Sequence, residues 1–77
     1  MNPLIKVYAD FNNADSKGRI RLNTEGTYRD LQRMNIKLEE GLEVLLDDDE
    51  GLAILGTVLF SEEEGIWVGR INWDELK

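Results

Sequence analysis

A chain of 77 residues has room for one domain, spanning 1–77, and at that size it buries only about 60% of the surface its unfolded form exposes, so nearly every large apolar residue is needed for the core. Eleven Leu, six Ile and four Val exclude a wholly disordered chain, and the absence of cysteine excludes a disulfide framework or a thiolate zinc site. A net charge of −7 argues against general affinity for nucleic acid or anionic lipid.

Leu4 to Phe11 alternates, with Ile5, Val7, Ala9 and Phe11 on one face and Lys6, Tyr8 and Asp10 on the other, the period of a half-buried strand. Asn12 to Gly18 is a run of turn formers, and Arg19 to Asn23 alternates again, so the two strands are expected to pair as a hairpin with a broad loop. Thr24 to Gly26 turns the chain. Thr27 is the expected cap of a two-turn helix that carries Tyr28, Leu31 and Met34 on one side and ends at Asn35. After a Glu39-Glu40-Gly41 turn, Leu42 to Leu46 forms a third strand, Asp47 to Gly51 an acidic turn, and Leu52 to Phe60 a fourth strand. In that fourth strand Gly56 marks a bulge or a sharp bend. Glu62 to Gly65 turns into a fifth strand, Ile66 to Ile71, and Asn72 caps a closing helical turn over Trp73 to Lys77.

Five short strands with an inserted helix predict a mainly β fold, a small five-stranded SH3-like barrel, with an OB-like barrel as the alternative. The stretch from Gly51 to Trp73 is its centre, two apolar runs that hold both tryptophans around an acidic turn. No apolar run approaches the roughly 18 residues that a membrane span requires. Lys6 and Asp10 interrupt the first residues, unlike a signal peptide. The expected location is the cytoplasm.

VYADFNNADSKGRIRLNTEGT (7–27), together with VLFSEEEGIWVGRINWD (58–74), resembles a family of small uncharacterised bacterial proteins that share these two stretches and an EGL turn before a strand. The resemblance covers most of the chain and implies no activity, catalytic residue or cofactor. The 47–51 turn is shorter here than the acidic insertion of many members. EGLEVLLDDDEGLAILGTVLF (40–60) is more weakly similar to the KOW-type motif of SH3-like ribosomal and transcription proteins, which are basic where this chain is acidic.

Charge is unevenly placed. Residues 38–64 contain ten carboxylates and no basic residue, whereas 17–37 contain six basic residues. Either the two segments neutralise each other within the fold or they mark two faces with different partners. An EF-hand reading of the Asp10–Gly18 loop fails, because Lys17 falls on a ligand position and Thr24 on the position that requires Glu. Adjacent carboxylates in the tight turns Asp47–Glu50 and Glu62–Glu64 point apart, which disfavours a metal. With no His and no Cys, no catalytic constellation is visible and no cofactor is expected. The expected function is therefore a non-enzymatic interaction or regulatory module for a basic protein partner. It would bind through an aromatic patch of Trp67 joined by Tyr8 and through the acidic loops, with Asp47, Asp48, Asp49, Glu50, Glu62, Glu63 and Glu64 as candidate contact residues. The alternative is nucleic-acid or ribosome-associated binding through Arg19, Arg21, Arg29, Arg33 and Lys37.

Overall fold

The computed structural model describes residues 4–76. Met1, Asn2, Pro3 and Lys77 lie outside it, and with them the last residue of the expected closing turn. The elements are β1 (Lys6–Tyr8), β2 (Ile20–Arg21), α1 (Glu25–Met34), β3 (Glu43–Asp47), β4 (Ala53–Ser61), β5 (Ile66–Arg70) and a 3-10 turn, Trp73–Leu76. They form one curled sheet in the order β1-β3-β4-β5-β2, a half-barrel with one short helix, so the mainly β barrel-like fold is present.

Alternation in the sequence becomes two faces of this sheet. Val7, Ile20, Val44, Leu46, Ile54 and Val58 point into the curl and are buried, joined by Ala9, Phe11, Leu22 and, from α1, Leu31. Each large aliphatic side chain removed from water in this way contributes roughly 1.5–3 kcal/mol. A methyl group of Leu46 fills the space over Gly56 and Gly69. A Cβ at either glycine would approach that methyl to 3.1 Å and 2.9 Å, so both missing side chains let the sheet close on its own core.

Three local expectations differ from the structure. β1 and β2 do not pair. β1 runs parallel to β3, and β2 pairs with β5 on the opposite border. The polar 12–18 loop instead closes on itself, with Asn13 and Asp15 bonding Arg21 and Arg19 across an Ala14–Ile20 bridge. Next, the helix is capped by Thr24 and not Thr27. Thr24 is extended (φ −79°, ψ 157°) and its hydroxyl accepts from the Thr27 amide, one turn earlier than expected. Asn35 ends the helix in the left-handed region, as expected. Finally, the bulge lies at Gly41 and not at Gly56. With φ +84°, Gly41 donates to the Val58 carbonyl while the Val58 amide donates to the Leu42 carbonyl, so two residues oppose one. β3 leaves the sheet there, and the Glu40 carboxylate takes over the Phe60 amide at 2.9 Å.

Both borders of the sheet are covered. On the β1 side, α1 supplies side chains where a further strand would stand. Asp30 accepts from the Tyr8 amide at 2.8 Å, and the Thr27 hydroxyl donates to the Tyr8 carbonyl at 2.6 Å. On the β2 side the 13–15 segment does the same with backbone groups. Among the described residues no helix is long and apolar enough to cross a membrane, and no buried side-chain polar atom lacks a partner.

Candidate functional site

The parallel register of β1 and β3 pairs Tyr8 with Asp47, and antiparallel pairing sets Asp47 against Ala53. Tyr8 therefore stands at the same end of the sheet as the 47–51 turn, although nearly forty residues separate them in sequence. Its ring lies against Gly26 in the first turn of α1, where a Cβ would come within 2.7 Å of the ring. Its backbone is held by Thr27 and Asp30.

Two shallow clefts flank this tyrosine. One, of about 320 Å³, is lined by Tyr8, Glu25, Gly26, Arg29, Asp30 and Asp49. The other, of about 310 Å³, is lined by Tyr8, Asp10, Phe11, Asn12, Asp48, Glu50 and Leu52. The turn between them is built by its own acids. Asp47 Oδ1 accepts from the Asp49 amide at 2.7 Å, and Asp48 Oδ1 accepts from the amides of Glu50 and Leu52 at 2.8 and 3.0 Å. Asp47 also faces Lys6 at 3.5 Å. Asp49 and Glu50 have neither obligation. Their carboxylates, with Asp10 and Glu25, surround an aromatic ring and leave Arg29 as the one cation in the two linings.

The other candidates lie elsewhere. Trp67 pairs with Phe60 across β4 and β5, their rings edge to face at 5.1 Å and 77°. Phe60 lies seven steps along β4 from Ala53, about 23 Å at the usual rise of a strand. Tyr8 and Trp67 therefore do not form one patch. Trp67 is half-buried against the core, with Phe60 the more exposed ring of the pair. Glu62, Glu63 and Glu64 lie beyond that pair, and two of them have partners. Glu63 accepts from Lys17 at 2.8 Å, and Glu64 receives a two-pronged bond from Arg21, both arms 2.8 Å. That bond holds the Glu64 carboxyl below the usual range despite an opposing push from partial burial, and it raises the Arg21 guanidinium further.

The basic segment is largely neutralised by these and similar contacts. Arg19 bonds Asp15 and Arg33 bonds Asp30, at 2.8 and 2.9 Å. Burial pushes the Asp15 carboxyl up. The amides of Arg19 and Lys17 and the Arg19 guanidinium outweigh it, leaving the group below its ordinary value. Among the described residues Arg29, Lys37 and Arg70 form no ion pair. Of the six basic residues in 17–37, Arg29 and Lys37 thus form no ion pair, and Arg29 shares its cleft with Glu25, Asp30 and Asp49.

Asp10, Glu25 and Leu52 belong to the Tyr8 surroundings and were not singled out by sequence. Asp10 carries the one visible signal, since it shares the outward face of the first alternating stretch with Tyr8. No protein-family description matches this chain, and neither the curated proteins nor the solved structures include one significantly similar to it. The local chemistry alone carries the functional argument.

Proposed function

We propose that this chain is a small cytoplasmic, non-enzymatic interaction module of SH3-like shape that receives a lysine- or arginine-rich segment of another protein at its acidic end. The observation that carries the reading is the placement of Tyr8 between two clefts edged by Asp10, Glu25, Asp48, Asp49 and Glu50. A cationic side chain lying on the tyrosine face gains a cation–π contact of about 0.5–1 kcal/mol at an exposed site. The surrounding carboxylates add long-range attraction, which raises association rates for a basic partner. Asp49 and Glu50 are the acids with no structural duty in the turn, so they are the ones free to face a ligand. Trp67 and Glu62–Glu64 belong to the opposite end, where Trp67 packs on Phe60 and Glu63 and Glu64 form ion pairs.

Titration of the labelled protein with a short polylysine or polyarginine peptide, followed by NMR, tests this. Shifts should centre on Tyr8, Asp49, Glu50 and Leu52, and the double change Asp49→Asn, Glu50→Gln should weaken binding several-fold without altering the fold. An absence of shifts at low ionic strength would remove the proposal. So would shifts confined to the 60–67 end.

A further inference from the structure

On the convex face Val68 of β5 is fully buried, whereas the outward positions Glu43, Leu55 and Arg70 are exposed. Outward positions on the three central strands are fixed by register. Glu43 on β3 pairs with Thr57 on β4, and Thr57 pairs with Arg70 on β5. These three residues form one row across the sheet, with a carboxylate at one end, a guanidinium at the other and Thr57 midway, each step about 4.8 Å. Neither Glu43 nor Arg70 has an ion-pair partner among the described residues. Beside the row, two positions along β4, Leu55 is 50% exposed and is paired with outward-facing Leu45. A cleft of about 360 Å³ is lined by Glu43, Leu55, Gly56, Thr57 and Arg70 and, past the end of β5, by Ile71, Asn72 and the carboxylate-bearing Glu75.

We propose that this face associates with a second copy of the same chain. The row is self-complementary. A two-fold axis parallel to β4, running over Thr57, sets Glu43 of one copy against the partner subunit's Arg70, and Arg70 against the partner subunit's Glu43. Leu55 and Thr57 meet their own counterparts. This is a closed, isologous contact in which both charged pairs form at once. Sheets packed face to face stand about 10 Å apart, and with the axis along β4 the two 47–50 turns lie at the same end on opposite sides of the axis. Molecular extents of 30 × 28 Å give one face room for the roughly 800 Å² per partner that a standard interface buries. The net charge of −7 on each copy opposes association. At physiological ionic strength the screening length is about 8 Å, so distant charges are damped while the row pairs remain in contact.

Sedimentation equilibrium at physiological ionic strength, from micromolar to millimolar protein, tests the proposal with four chains: wild type, Glu43→Arg, Arg70→Glu and the double exchange. Both substituted positions are exposed and lie in strands, and circular dichroism verifies that each chain is folded. The wild-type mass should rise with concentration from 8.9 kDa toward twice that value. Each single reversal should weaken the dimer about ten-fold or more, because it sets like charges together twice, and the double exchange should restore it. A wild type that stays at 8.9 kDa throughout would overturn the proposal. So would a dimer indifferent to either reversal, a folded double exchange that stays monomeric, or growth beyond a dimer. Because Tyr8 and the 47–50 turn lie outside this row, the outcome is independent of the basic-segment proposal.

Discussion

The two acidic turns at either end of β4 have nearly the same composition and opposite fates. In the 47–51 turn, Asp47 and Asp48 fold the turn by accepting its amides, and Asp49 and Glu50 are left outward beside Tyr8. In the 62–65 turn, Ser61 accepts the backbone amides, so the glutamates are free to reach Lys17 and Arg21 of the neighbouring loop. Side-chain length underlies the difference. Aspartate reaches its own backbone two residues on, whereas glutamate extends past it to a distant cation. Net charge by segment therefore says little about which acids remain open to a partner.

The largest break in this comparison should come from the loop that neutralises the second turn. Asp15 is a carboxylate with only 4% of its side chain exposed, and it holds the Lys17 and Arg19 amides and the Arg19 guanidinium. Asp15→Ala should cost about 2 kcal/mol in urea unfolding, since three donors lose their acceptor. It should also release Lys17 from Glu63. A loss below about 0.5 kcal/mol would show that the loop is held by something else. At the other turn, Asp48→Ala should cost about 1 kcal/mol, because its amides are exposed enough for water to replace the carboxylate. Asp48→Asn keeps the accepting oxygen and should recover most of that.

Acid should act selectively as well. Asp15 and Glu64 both have folded values below their ordinary ones, so their stabilisation is complete at neutral pH and is lost as pH falls through those depressed values. The Trp73 indole donates to the Gly18 carbonyl at 2.7 Å and reports on the same loop. Its NH resonance should move toward the solvent-exposed position on acidification, and an unchanged signal down to the unfolding transition would contradict the coupling. The smallest effect belongs to Glu63→Gln. Lys17 and Glu63 are both more than half exposed, so thermal unfolding should shift by less than about 0.5 kcal/mol in equivalent stability.

How far the sequence could be read follows from range. Period-two alternation placed Val7, Ile20, Val44, Ile54 and Val58 inward, because burial of one face is a local pattern. Pairing is not local, so the parallel partnership of β1 with β3 left no trace in either stretch. The helix cap was misplaced because Thr24 and Thr27 are chemically alike and only the entering dihedral angles distinguish them. The candidate site was legible as residue types and not as neighbours. Tyr8 and Asp47 meet through a strand register, while Arg21 and Glu64 meet across 43 positions, so the expected single patch divides into two ends.

The helix that covers the β1 border also governs how the molecule would go wrong. Thr27 and Asp30 occupy the donor and acceptor of Tyr8, so another chain cannot extend the sheet there while α1 is docked. Fibril growth from that border requires the helix to lift first. Aggregation under mild stress should therefore track the local opening of α1, not global unfolding, and strengthening the Thr24 cap end should delay it without touching any strand.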